Sequence, residues 1–150
     1  SGIWNYGGGI MLHCLYHSNI ISDDGIPEYQ NVKIIGHYTS LERAANAMER
    51  YRKIRGFADF PYGFGIELIF SKSPDHAENV NRVYRNAYID YSAIDGIDTY
   101  FEGYYTSLDQ AQKALQEIGR LSRFANAIGN LDTFEIETNV DQWKEGFVTG

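Results

Sequence analysis

Apolar positions along this chain switch period in the same order twice. Residues 11–18 alternate, with Leu12, Cys14 and Tyr16 on one face and His13, Leu15 and His17 on the other, which predicts a strand. A polar, turn-rich stretch, 22–28, separates it from a second strand, 32–38, and so short a connection favours antiparallel pairing. Leu41, Ala44, Ala45, Met48, Tyr51 and then Ile54 or Arg55 fall at helical spacing. Thr39-x-x-Glu42 offers a capping box at the start of that helix, and Gly56 offers a left-handed stop at its end. Residues 57–64 form an aromatic loop, and 65–71 alternate again with Ile66, Leu68 and Phe70 on one face. The series strand, strand, helix, strand then recurs at 82–92, 99–105, 107–122 and 133–138, with Asp95-Gly96 as a turn between the first two and Phe134 and Ile136 facing inward. In the second helix Ser107 and Gln110 offer the capping chemistry one position on, and Leu108, Ala111, Leu115, Ile118 and then Leu121 or Ser122 form the expected buried stripe.

The recurrence extends to residue identity. Gly36-His37-Tyr38-Thr39-Ser40-Leu41-Glu42 aligns with Gly103-Tyr104-Tyr105-Thr106-Ser107-Leu108-Asp109, 67 positions later. The register holds through Ala44/Ala111, Ala47/Ala114 and Phe57/Phe124, a pattern that reads as an internal duplication. The expected organisation is an extension at 1–10 with Met11 a candidate natural start, a first ββαβ repeat at 11–71, a hinge at 72–81 and a second repeat at 82–150. The fold class expected is α+β: one mostly antiparallel sheet of about six strands with both helices on one face, sharing a single core.

Several residues resemble a family of short bacterial proteins with no assigned activity. The resemblance rests on Tyr16-His17-Ser18, on Ile35-Gly36-His37-Tyr38-Thr39-Ser40, on Gly56-Phe57 with Phe60-Pro61-Tyr62-Gly63-Phe64, and on the tail Trp143-Lys144-Glu145-Gly146-Phe147-Val148-Thr149. The first copy holds the opening and the loop but lacks the tail. The second copy holds the tail but lacks the opening. One family unit is thus split across the duplication, and the resemblance implies a fold without adding an activity.

Composition narrows the function classes. The formal charge is −7 over 150 residues. That opposes nucleic-acid binding, which draws on Lys and Arg to release counterions, and it favours a basic partner. No apolar run reaches membrane-spanning length, no signal core is evident, and a cytoplasmic location is expected. The single cysteine, Cys14, cannot form an internal disulfide or any zinc spacing, and its neighbours mark it as a small core residue. His13 and His17 share a strand face but stand about 13 Å apart along it, so no metal site is expected. No cofactor is expected either, since no phosphate-binding glycine pattern precedes a helix and no nucleophile elbow occurs.

What remains is an excess of tyrosine beside acidic loops. Twelve tyrosines can act as anchors, with carboxylates as steering charge. Asp23, Asp24, Glu28, Tyr88, Tyr91, Asp95, Asp98, Tyr100 and Tyr104 are the candidate partner-binding residues. The leading expectation is a non-enzymatic acidic module that binds a basic protein, such as an immunity or antitoxin-like inhibitor of a toxin. A second is a small-ligand or regulatory domain with a cleft at His17, Phe57, Phe60, Tyr62, Phe64 and Trp143. A third is an enzyme using His17 with loop carboxylates.

Overall fold

The computed structural model describes residues 9–21, 29–72, 80–90, 98–120 and 131–148. The elements run β1 (Gly9–Ile21), β2 (Tyr29–Tyr38), α1 (Leu41–Tyr51), a 3-10 turn (Phe57–Asp59), β3 (Phe64–Lys72), β4 (Arg82–Asp90), β5 (Asp98–Tyr105), α2 (Leu108–Gly119) and β6 (Leu131–Glu137). The class is α+β. The strands hydrogen-bond in the order β2-β1-β3-β5-β4-β6. The sheet is mixed: β1–β2, β4–β5 and β4–β6 are antiparallel, whereas β3 pairs with β5 in parallel through Ser71 and Lys72.

The chain divides into two units, and the division is not a single cut. The first unit joins Met11–Ile69 with Thr138–Gly150, and the second joins Ser1–Ile10 with Phe70–Glu137. The tail that the sequence pattern carries with the second copy therefore packs in the first unit.

In the first unit β1 is flanked by β2 and β3. Ser18 N–H donates to the Gly63 carbonyl at 2.9 Å. Helix α1 roofs this sheet with Ala44, Ala47 and Tyr51, which meet Leu15, Ile35, Tyr38 and Phe57 in a cluster no member of which is more than 1% exposed. Each large side chain so enclosed contributes about 1.5–3 kcal/mol. Ile35 and Tyr38 are three residues apart on a strand and would normally face opposite ways. A bulge resolves this: Leu15 opposes Gly36 while Tyr16 opposes Ile34, so Ile35 is the extra residue. Both strand side chains then reach the helix.

The helix boundaries differ from the sequence pattern at both ends. Ser40, not Thr39, caps α1: its backbone is extended at φ −148°, and Oγ accepts from Arg43 N–H at 3.1 Å. Thr39 Oγ1 instead donates to Asn139 Oδ1 at 3.2 Å. The helix closes at Tyr51 with Arg52 as its C-terminal cap. Gly56 is left-handed, at φ 87°, but its place is the entry to the 3-10 turn. Phe147 lies so close to it that a Cβ would meet the Phe147 carbonyl oxygen at 2.5 Å.

In the second unit β4 lies between β5 and β6. Ser107 caps α2 by accepting from Gln110 N–H at 3.4 Å, as the sequence suggests. The centre is polar. Asn86, fully buried, donates from Nδ2 to the Ala111 carbonyl at 2.6 Å and accepts from Thr133 Oγ1 at 2.7 Å. One carboxamide thereby ties α2, β4 and β6 together with both its polar atoms bonded. Phe134, expected inward, is 37% exposed on the outermost strand.

Candidate functional site

The most developed site lies in the first unit, where the aromatic loop closes over the end of β1. His17 projects from β1 and is fully buried. Its Nε2 bonds the Phe60 carbonyl oxygen at 2.9 Å. A carbonyl can only accept, so Nε2 carries the proton and Nδ1 holds the lone pair. Four rings enclose the imidazole, with centroids at 4.7 Å (Phe64), 5.0 Å (Phe57), 6.0 Å (Phe147) and 6.2 Å (Phe60). Burial lowers the pKa of His17; the Phe60 carbonyl opposes the shift and the charge of Lys33 adds to it.

Lys33 stands opposite His17 on β2 and is 7% exposed. Its Nζ donates to Asn31 Oδ1 at 3.2 Å and sits 3.9 Å over the Phe147 ring and 5.4 Å over that of Trp143. Burial also lowers the pKa of this ammonium. The side chain is thus buried, with its head held by an amide and two π faces.

The loop is anchored by a close backbone approach. A Cβ on Gly63 would meet His17 Nε2 at 2.9 Å, so glycine is required where the loop touches β1. Beside this contact lies a depression of about 400 Å³ lined by Ser18, Asn19, Asp59, Phe60, Pro61, Tyr62 and Gly63. Asn19 continues the alternation of β1 two residues past His17. It is 6% exposed, and its Oδ1 accepts no hydrogen bond among the described residues. Tyr62, at the rim, is 98% exposed.

No family model, curated protein or solved structure matches the chain. The site is therefore argued from its own residues.

The structure brings together His17, Phe57, Phe60 and Phe64 of the expected cleft, but as a packed ring cluster. Phe60 and Tyr62 line the open depression. Trp143 is 48% exposed and lines a second depression of about 500 Å³ within the tail, formed by residues 141–146. Of the expected partner-binding residues, Asp23, Asp24, Glu28, Tyr91 and Asp95 lie outside the described residues. Tyr88 is on β4, and Asp98 and Tyr100 are on β5. Tyr104 is half-buried on β5, opposite Arg85. No group of His, Cys, Asp and Glu suited to a metal ion occurs among the described residues, and no described helix is long and apolar enough to cross a membrane.

Sequence reasoning missed Asn19, Lys33, Asp59 and Phe147. The alternation of β1, continued past Ser18, was the available signal for Asn19. Phe147 belongs to the tail motif, and its packing against Phe57 at 4.9 Å joins two stretches on which the family resemblance rests. Those stretches, 16–18, 35–40, 56–64 and 143–149, all fall in the first unit.

Proposed function

We propose that this chain is a non-enzymatic, acidic protein-binding module that receives a basic partner at the loop end of its first unit, in the manner of an immunity or antitoxin-like inhibitor. The observation that carries the reading is the open depression at Asn19, Asp59, Phe60 and Tyr62, with a tyrosine almost wholly in solvent at its rim, in a chain of formal charge −7. An exposed aromatic beside carboxylate is the composition of an interface anchor rather than of a folded core. His17 and Phe57 are packed solid, which favours a surface partner over a small molecule held in a deep cleft. His17 on this reading serves packing and loop anchorage.

The same reading takes the two ββαβ runs as copies of one ancestral unit. Support comes from the shared element order, from the central place of β1 and β4 in their units, and from corresponding N-caps at Ser40 and Ser107. It also places the first unit, with its returning tail, in the family of short bacterial proteins that its motifs resemble. A lone, buried cysteine accords with a reducing cytoplasm.

The test is direct mixing with basic protein domains encoded beside its own gene, read by calorimetry. A stoichiometric complex at micromolar concentration or tighter, weakened by salt, is expected. Absence of any complex with the whole set overturns the reading.

A further inference from the structure

We infer that His17 is an acid-sensitive latch: while its ring is neutral it holds the Phe57–Phe64 loop onto β1, and protonation releases that loop. The contact is one side chain deep. Nε2–H donates to the Phe60 carbonyl at 2.9 Å, and the loop rests so close to the ring that a Cβ on Gly63 would meet Nε2 at 2.9 Å. The backbone bond from Ser18 N–H to the Gly63 carbonyl, at 2.9 Å, lies directly beside it. The other ring nitrogen, Nδ1, is buried and makes no hydrogen bond among the described residues. As a lone pair it bears that at modest cost. As the N–H of an imidazolium it would be a buried, charged donor with no acceptor, which is far more costly.

The surroundings already hold two cations. Lys33 Nζ sits 3.9 Å over the Phe147 ring, and the Arg52 guanidinium lies 5.7 Å from the centre of the Phe64 ring. Those are two of the four rings around His17, so the π systems that could attract an imidazolium are already drawn on. Of the other titratable groups on the enclosing elements, β1 carries His13 on the same face and α1 carries Tyr51. The 3-10 turn carries Asp59 and the tail carries Lys144 and Glu145, all exposed, while β3 turns Phe64 and Ile66 inward. The charge that bears on His17 is that of Lys33, and it opposes protonation. Burial first, resisted by the Phe60 carbonyl and aided by Lys33, lowers the pKa of the latched ring, whereas a released ring returns to about 6.5. Closure is therefore fully favoured above that value and weakens as pH falls below it, levelling once the latched ring itself is protonated. Phe60 and Tyr62 line the depression of the protein-binding reading, so acid would dismantle that surface, but the latch itself depends on no partner.

The experiment titrates isotope-labelled full-length protein from about pH 7.5 to about pH 5, above the range in which carboxylates ionise. Long-range proton–nitrogen NMR reads the tautomer and charge of His17, and hydrogen exchange reads the protection of the Ser18 amide. The Nε2–H tautomer is expected at the start, with ionisation only below about 6.5. Ser18 protection should fall about fivefold or more by the end, in step with the charge on His17, because each pH unit between latched and released rings is a factor of ten. His17→Gln keeps an N–H for the Phe60 carbonyl and cannot titrate, so its Ser18 protection should stay level. Should that variant not fold, Lys33→Met decides: without the opposing charge His17 should ionise at a higher pH than in the parent and Ser18 should lose less protection, and an unmoved ionisation overturns the latch. A parent His17 that titrates at or above about 6.5, or that ionises while Ser18 stays protected, overturns it too. So does a His17→Gln protein that loses Ser18 protection as the parent does. Each result is read without a partner, so it stands apart from the outcome of the mixing test.

Discussion

Tyr38, the last residue of β2, donates its hydroxyl to Asp141 Oδ1 at 2.5 Å across 103 positions of sequence. Arg50 grips the same carboxylate with two bonds, Nε to Oδ2 at 3.0 Å and Nη2 to Oδ1 at 2.9 Å. Tyr51 donates to the neighbouring Gln142 carbonyl. One strand end and one helix thus converge on two consecutive residues of the returning tail. That clamp holds the tail against the first unit and brings Phe147 over His17.

The clamp has an acid limb. Burial alone would raise the pKa of Asp141, but the Arg50 bonds and then the Tyr38 bond outweigh it and hold the carboxyl below the usual range. A depressed folded pKa contributes stability that is present above the unfolded value of about 3.9 and is lost as pH falls toward the folded value. Asp141→Asn should destabilise the protein by about 1–2 kcal/mol at neutral pH, a modest figure because Arg50 is largely solvated. It should also flatten the loss of stability below about pH 4. Urea unfolding of both proteins at a series of pH values checks this, and parallel curves for parent and variant would count against it.

An alkaline limb follows from the same residues. Burial, then the Asp141 bond, pushes the Tyr38 phenol well up, and burial, then the charge of Asp141, pushes Tyr51 up to about 12. A raised folded pKa contributes stability that is complete below the unfolded value of about 10 and is lost as pH rises through the folded value. Tyrosinate absorbance should therefore show a group ionising above pH 10 only together with unfolding. Tyr38→Phe should shrink that late component. If all the tyrosines titrate near 10 in the folded protein, the clamp is not closed in solution.

Strand order of appearance, helix positions and the aromatic loop were legible because period and punctuation are local. Three features were not. The bulge at Ile35 reconciles two core residues three apart, and only Gly36, a glycine inside a strand pattern, hinted at it. The cap at Ser40 rather than Thr39 depends on Asn139, which takes up the Thr39 hydroxyl from 100 positions away. The return of the tail to the first unit is a long-range event that no window of sequence contains. The site suffered in proportion: His17, Phe60 and Tyr62 were visible as types, but Asn19 gains meaning only from being buried with an unmet oxygen.

Two glycines should respond to alanine with opposite signs. Gly56 is left-handed and its added Cβ would press on the Phe147 backbone, so Gly56→Ala should cost about 2 kcal/mol or more. Gly119 closes α2, and a Cβ there would meet Leu131 Cδ1 at an ordinary 3.7 Å. Gly119→Ala should therefore be neutral or stabilise by up to about 1 kcal/mol. Thermal melts of the two variants decide the matter, and a Gly56→Ala protein as stable as the parent would contradict the placement of the tail against Gly56.

The discontinuity of the first unit makes the strongest prediction. Residues 11–69 joined to 138–148 by a flexible linker of about eight Gly/Ser residues should fold alone. The tail supplies backbone bonds that the rest of the unit lacks: Asn139 to the His37 carbonyl at 2.7 Å, Gln142 to that of Ile35 at 2.7 Å and Phe147 to that of Arg55 at 3.0 Å. It also supplies the Phe147 ring over His17 and Phe57. At about 70 residues such a piece is only marginally stable, so losing these contacts should abolish folding. Residues 11–72 without the tail should thus give collapsed amide dispersion and no near-ultraviolet circular dichroism, while the fused piece gives both signals and a cooperative melt. Within the fused piece Phe147→Ala should cost about 3 kcal/mol, enough to unfold much of the population. A tailless 11–72 that folds as well as the fusion would mean that the tail decorates the first unit rather than completing it.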